Sequence, residues 1–202
     1  MQKNKPEYYN NLSNIYLKIW TLLHSGLKNR DAPFHIPVFV CGKKPDARII
    51  VLRGISEKEK KIWFHSDIRS KKVKIVKSNS DVALLFYDKS EKIQLRISGK
   101  AKINYQNNFT EKSWKKTAHM SRQCYLGNKS PGSETSLPTS GLTENIDNLK
   151  YSIEESEIGY KNFCVIEISI NSIEWLYLAA KGHRRALFTL KNNLVEKKWL
   201  IP

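Results

Sequence analysis

Residues 11–28 carry apolar side chains at helical spacing. Leu12, Ile15, Tyr16, Ile19, Trp20, Leu22, Leu23 and Leu27 share one broad face. The pattern predicts an amphipathic helix that Asn10 or Asn11 caps and that ends at Gly26 and the cluster from Asn29 to Pro33. From residue 34 the pattern changes to short β-branched and aromatic runs. Strands are expected at 36–41, 48–52, 61–65, 82–87 and 92–104, with turns at 42–46 and 88–91. Residues 70–78 fit a short helix with Val73, Ile75 and Val76 inward, and 109–118 a second one. Residues 128–140 are rich in Ser, Pro, Gly and Thr and are expected to form a loop. Leu142, Ile146, Leu149 and Ile153 then mark an acidic helix. Strands resume at 163–170 and 173–179, joined near Asn171 and Ser172, and a last one is expected at 183–190. Short strands with tight turns predict an antiparallel barrel or sandwich. The fold class is mainly β with helices (α+β).

The chain has 202 residues and no internal repeat, so one domain over 1–202 is expected. Strands would fill about 34–103 and 160–202, with a helix and loop insertion over about 105–158. A hydrophobic content of 40% and a charged content of 27% exclude disordered and fibrous classes. The formal net charge of +16 favours an anionic partner: nucleic acid, acidic lipid or a phosphorylated small molecule. The lysines are scattered, which also fits a plain solvated surface. Cys41, Cys124 and Cys164 are widely spaced and odd in number, which argues against disulfides or zinc and suits a cytoplasmic setting. No stretch approaches the roughly 20 apolar residues of a membrane helix, and the first residues lack a signal-peptide pattern.

Candidate chemistry concentrates between Arg48 and Ile103. An anion calls for guanidinium and ammonium groups, hydroxyls and free N–H groups at a helix start. Ser66, Ser70, Lys71 and Lys72 surround a strand-to-helix junction, and Arg48 lies one strand earlier. Those residues equally fit an ordinary cap with solvated lysines. A flat heteroaromatic ring calls for an apolar wall and a few polar groups; Gln94, on a mostly apolar strand, offers both donor and acceptor. His24, His35, His65, His119 and His183 share no metal-site spacing, and no H-E-x-x-H, G-x-S-x-G, Walker loop or G-x-G-x-x-G is present.

The runs Arg48-Ile-Ile-Val-Leu-Arg53, Phe64-His-Ser-Asp-Ile-Arg-Ser-Lys-Lys72, Val82-Ala-Leu-Leu-Phe-Tyr87 and Gln94-Leu-Arg-Ile-Ser-Gly-Lys-Ala101 occur in order. With Ile173-Glu-Trp-Leu176, His183-Arg-Arg-Ala-Leu-Phe188 and Trp199-Leu-Ile-Pro202, this set resembles the pyridoxamine 5'-phosphate oxidase-like FMN-binding split barrels. The resemblance implies an antiparallel split β-barrel of FMN-binding type and a homodimer with FMN between its subunits. It implies that Arg48, Ile49, Ile50, Val51, Leu52 and Arg53 line the flavin, with Arg48 near its phosphate. His65 and Ser66 stand where the family usually has an aromatic–threonine pair. Ser70, Lys71 and Lys72 complete the phosphate clamp, and Gln94 faces the ring. Ser133 corresponds to a loop serine, Leu176 stands where the family has a flavin-contacting tryptophan with Trp175 one place away, and Arg185 or Arg184 takes the place of a terminal arginine. On the substrate side Arg53 replaces a lysine, while Ser121, Arg122 and Tyr125 stand near a tyrosine and an arginine–serine set. Arg122 and Arg184 are the candidate substrate contacts. The closing Arg-Leu-His of the oxidases is absent at His183-Arg184-Arg185.

The function expected is an FMN-dependent oxidoreductase passing hydride between a small substrate, an anionic one among the options, and the flavin. Two alternatives stand beside it. One is a flavin- or haem-binding module without pyridoxamine phosphate oxidase activity, with His65 or His183 as axial ligand. The other is a basic nucleic-acid-binding protein, which the charge favours but the lack of an aromatic–basic platform does not.

Overall fold

The computed structural model describes residues 7–180, 182–191 and 194–202. Helix α1 (Leu12–Lys28) begins at Asn11, whose side-chain oxygen accepts from the backbone N–H groups of Ser13 at 2.9 Å and Asn14 at 3.1 Å. Such a cap contributes about 1 kcal/mol. The predicted face is the buried one: Ile15, Ile19 and Leu23 are fully enclosed, and Trp20 nearly so. Each contributes on the order of 2 kcal/mol by leaving water. Gly26 lets the helix meet the chain ahead, since a Cβ there would lie 2.5 Å from the Phe34 carbonyl carbon.

Among the described residues nine strands follow: β1 (Val38–Cys41), β2 (Asp46–Ile49), β3 (Gly54–Ser56), β4 (Lys61–Asp67), β5 (Asp81–Asp88), β6 (Ile93–Asn104), β7 (Phe163–Tyr177), β8 (Arg184–Lys191) and β9 (Leu194–Leu200). All pairings are antiparallel, in the order β2-β1-β5-β6-β7-β4-β3, with β8 and β9 branching from β7. The sheet is not closed, and the branch shows why. One edge of β7 pairs with β6 along nearly its whole length. The other edge is divided, Phe163–Ser169 pairing with β4 and Ser172–Tyr177 with β8.

Helix α2 (Lys71–Ser78) follows β4. Between β6 and β7 lie helices α3 (Asn108–Lys115), α4 (His119–Arg122) and α5 (Glu144–Asp147), and 3-10 turns at Gln123–Tyr125 and Glu155–Asn162. The main core packs α1 against the inward residues of the sheet, among them Phe39, Phe64, Phe86, Trp175 and Phe188. A smaller cluster of Trp114, Tyr125, Phe163 and Val165 seats the insertion on β7.

Four sequence expectations are corrected. Residues 163–179 form one strand to Tyr177, not two; Asn171 and Ser172 sit at a register shift opposite Ser98 and Gly99 rather than in a turn. Gly99 permits this close crossing, because a Cβ there would fall 2.3 Å from the Ser169 carbonyl oxygen. The acidic helix over 142–153 is reduced to Glu144–Asp147, with no buried residue to hold it on a core. The strand expected at 48–52 leaves the ladder after Ile49. Its backbone then alternates partners: Ile50 and Leu52 N–H bond to Pro37 and His35 carbonyls, while Arg53 N–H bonds to Trp63. Finally, the charged tail closes as strand β9.

Candidate functional site

The crossing segment Ile50–Arg53 turns Ile50 and Leu52 into the core. Val51 and Arg53 line an open cleft of about 930 Å³, together with Arg48, Ile49, His65, Ser66 and Lys72. The opposite wall comes from the insertion, at Thr117–Ser121 and Cys124–Tyr125, with Arg30 and His35 at one end.

At the other end four side chains converge. The Ser66 and Ser70 hydroxyls are 3.2 Å apart, and Lys72 Nζ donates to them at 3.2 and 3.4 Å. Burial, with Arg48 nearby, holds the Lys72 ammonium below the usual lysine range. Arg48 and Lys71 both pair with Asp46, which keeps that carboxyl below the usual carboxylate range. Arg48 Nε is nevertheless buried with no partner. Ser70 is the N-cap residue of α2, yet its side chain makes no capping bond, so free N–H groups of the first turn stay available. A buried guanidinium N–H, a desolvated lysine, two hydroxyls and an uncapped helix start are donors suited to an anion. The residues fit the phosphate end of FMN.

His65 lies along the cleft, its ring edge against Phe163 at 4.8 Å. Burial first, and Arg53 second, push its pKa down to about 3, so the imidazole is neutral. His35 Nδ1 donates to the Gly26 carbonyl at 2.7 Å.

The expected site residues divide into three groups. Arg48, Ile49, Ile50, Val51, Arg53, His65, Ser66 and Lys72 line the cleft, and Ser70 joins them through its bonds. Leu52 lines an adjoining cavity instead, and Lys71 is 76% exposed on the outer side of Asp46. The remainder lie elsewhere in the chain. Gln94, Leu176 and Arg185 form one cross-strand row on the outer face of the sheet. Trp175 points the opposite way and is fully buried against Tyr9 and Tyr177, so it has no surface for a flavin, whereas Leu176 next to it faces outward. Arg185 pairs with Glu174 at 2.9 Å. Ser133 belongs to the exposed loop and donates to Ser130 at 2.8 Å.

The candidate substrate arginines are also displaced. Arg122 is 4% exposed and bonded to Ser156, Glu157 and the carbonyls of Trp114 and Thr117. Its guanidinium also stacks 4.6 Å from the Trp114 ring centre. Arg184 sits over Tyr9 beside α1. Sequence reasoning did not single out Arg30, His35, Thr117, His119 or Cys124 as cleft residues. Their approach is purely tertiary, and no local pattern signals it.

The outer face around the Gln94 row carries exposed apolar groups, including Ile49 (64% exposed), Leu85 (38%) and Tyr87 (49%). Ile49 also borders the cleft, so the two surfaces are continuous.

The open antiparallel sheet is a split-barrel fold, and its cleft ends in a cluster of hydrogen-bond donors. Residues 22–105 match the family model described as "Pyridoxamine 5'-phosphate oxidase, FMN-binding domain", which bears out the resemblance seen in the sequence. The chain is similar in structure to a pyridoxamine 5'-phosphate oxidase-related, FMN-binding protein from Nostoc punctiforme PCC 73102. The identity is 17% and the TM-score 0.72, over 92% of this chain and 96% of that one. It is also similar to PhzG from Burkholderia lata 383, a structure in complex with tetrahydrophenazine-1-carboxylic acid. There the identity is 18% and the TM-score 0.71, over 100% of this chain and 99% of that one. At these identities the likeness is one of fold. No curated protein matches the chain. Among the described residues no helix is long and apolar enough to cross a membrane.

Proposed function

We propose that the chain is an FMN-dependent oxidoreductase, a single domain that acts as a homodimer in the cytoplasm. The observation that carries this reading is the buried, partnerless Arg48 Nε beside Lys72, Ser66 and Ser70, inside the segment that matches the FMN-binding domain family. When bound, FMN supplies hydride transfer with the substrate, and dioxygen or another acceptor closes the cycle.

The chain's own residues divide the remaining work. Arg48, Lys72, the two serines and the α2 N-terminus neutralise the phosphate. Ile50 and Val51 bring backbone and an apolar wall to the ring. His65 stays neutral and offers one donor and one acceptor without adding charge. A second copy on the outer sheet face would cover Ile49, Leu85 and Tyr87 and bring its Gln94, Leu176 and Arg185 to this cleft. That arrangement accounts for a site whose two halves lie on different faces of one chain.

The test is the absorption spectrum of purified protein, followed by mass analysis of the released ligand and titration with FMN. Flavin bands and quenching of FMN fluorescence are expected in wild type, weakened at least tenfold in Arg48→Ala. A Soret band, or no response to FMN, overturns the reading.

A further inference from the structure

The end of the cleft that gathers donors also holds a carboxylate. Asp67 closes β4 beside Ser66, lines the cleft and is only 5% exposed. An anion brought to Arg48, Ser66, Ser70 and Lys72 would meet that negative charge, and burial strengthens the repulsion. Burial first, and Arg48 second, hold the Lys72 ammonium below the usual lysine range, and Asp67 acts against them, so its field reaches the same cluster.

One side chain covers Asp67. Arg69 Nη2 donates to Oδ2 at 2.7 Å, and Nε to Oδ1 at 3.0 Å and Oδ2 at 3.2 Å. The Arg69 backbone N–H donates to Oδ1 at 2.8 Å. Nη1 turns the other way, into the insertion, and donates to the carbonyls of Gly127 at 3.0 Å and Asn128 at 3.4 Å. Among the described residues, every other hydrogen bond of the 127–142 segment stays inside it, and none of its side chains joins either apolar core. The ends of the segment meet, since a Cβ at Gly127 would lie 3.4 Å from the Gly141 carbonyl oxygen. The segment is therefore an Ω-like loop tied to the body at its base by Arg69. With Arg69, Gln123 and Cys124 it encloses a space of about 670 Å³. Cys124 and Pro131 line both this space and the cleft, so the loop borders the cleft.

We propose that Arg69 is a positioning residue for the phosphate end of the cleft: it cancels the charge of Asp67 and fastens the 127–142 loop at the cleft edge. The first task lets a phosphate stay beside a buried carboxylate. The second sets how fast the occupant enters and leaves. The inference rests on the flavin reading for the identity of the anion.

The experiment titrates the full chain with FMN and with riboflavin, which has the same ring and no phosphate, and follows amide hydrogen exchange of 127–142 without ligand. Arg69→Ala leaves Asp67 uncovered. FMN affinity should fall by about tenfold or more and riboflavin affinity by less than about threefold, while loop exchange quickens by about tenfold or more. Asp67→Asn removes the charge and should bind FMN at least as tightly as wild type. The double variant Asp67→Asn/Arg69→Ala should return FMN affinity to within about threefold of wild type, with the loop still fast. Arg69→Lys keeps a point charge near Asp67 but loses the fork that spans carboxylate and carbonyls. It should hold FMN affinity within about threefold while FMN enters and leaves faster and the loop exchanges faster. Unchanged FMN affinity in Arg69→Ala, equal losses of FMN and riboflavin, no recovery in the double variant, or unchanged loop exchange overturns the proposal. If wild type does not bind FMN, the flavin reading fails and the phosphate role falls with it. If wild type binds FMN and Arg69→Ala binds it equally well, the role of Arg69 fails alone.

Discussion

Arg48 and Arg122 are both largely withdrawn from water, yet they serve opposite ends. Arg122 sits in the insertion with a ring beneath it and four oxygen partners around it. Arg48 stands at the cleft with one carboxylate partner and a buried Nε that has none. A buried donor without an acceptor costs about 1–3 kcal/mol. A fold that leaves one at a cavity wall beside a desolvated lysine has donors free for a ligand there. A fold that satisfies every donor has a structural joint. Burial and residue type alone did not separate the two arginines; the count of met and unmet hydrogen bonds does.

The largest effect expected from this difference is on stability. Arg122→Leu strips Glu157, Ser156 and two carbonyls of their partner and should lower unfolding free energy by about 3 kcal/mol in urea titrations. FMN affinity measured well below the melting temperature should stay within threefold. A folded Arg122→Leu protein that has lost FMN would instead place Arg122 at the ligand.

Arg48→Ala is the mirror case. FMN affinity should fall by at least tenfold, the equivalent of about 1.4–3 kcal/mol, while stability without ligand changes by less than about 1 kcal/mol. Lys72→Met should weaken FMN similarly. Because burial already disfavours the Lys72 charge, the variant should keep or gain stability at neutral pH. A large loss of stability in either variant would make this end of the cleft a joint like the other.

A third expectation concerns pH. The folded His65 titrates near 3, below its ordinary 6.5. Below pH 6.5 the unfolded chain therefore takes up a proton that the folded chain refuses. Stability is fully present above 6.5 and is lost as pH falls toward 3, by up to about 2 kcal/mol at pH 5. His65→Phe should flatten this part of the urea-midpoint profile; an unchanged slope would mean that the ring is not neutral. The smallest effect is expected at Ser133, whose hydroxyl is bonded within its own loop. Ser133→Ala should alter FMN affinity less than twofold by fluorescence titration.

How much of this was legible follows from how local each feature is. The α1 stripe, the strands from Val38 to Asn104 and the Ser66–Lys72 cluster lie within short windows, where periodicity and capping chemistry act. The strand β7 was split in reading because Asn171-Ser172 looks like a turn, whereas its partner Gly99 absorbs the irregularity from another strand. Trp175 and Leu176 differ only in face. Alternation from buried Ile173 already places Trp175 inward and Leu176 outward, which agrees with the resemblance that set Leu176 at the tryptophan's place. Arg30, His35, Thr117–Ser121 and Cys124–Tyr125 reach the cleft from distant segments, and only packing could show it. The role given to Arg122 failed for the same reason, since its partners at Ser156 and Glu157 lie more than thirty positions away.

The long pairing of β6 with β7 brackets everything from Tyr105 to Asn162 between two strands already locked together. That segment can therefore lengthen, shorten or change composition without unsettling the sheet, provided its seat on Trp114 and Phe163 is kept. It supplies one wall of the cleft and, through Lys112 and Lys116, part of the adjoining cavity. The anchoring donors at Arg48 and Lys72 sit outside it. Descendants of such a chain could thus exchange one small molecule for another by revising a single interchangeable stretch while inheriting the cluster of free donors intact.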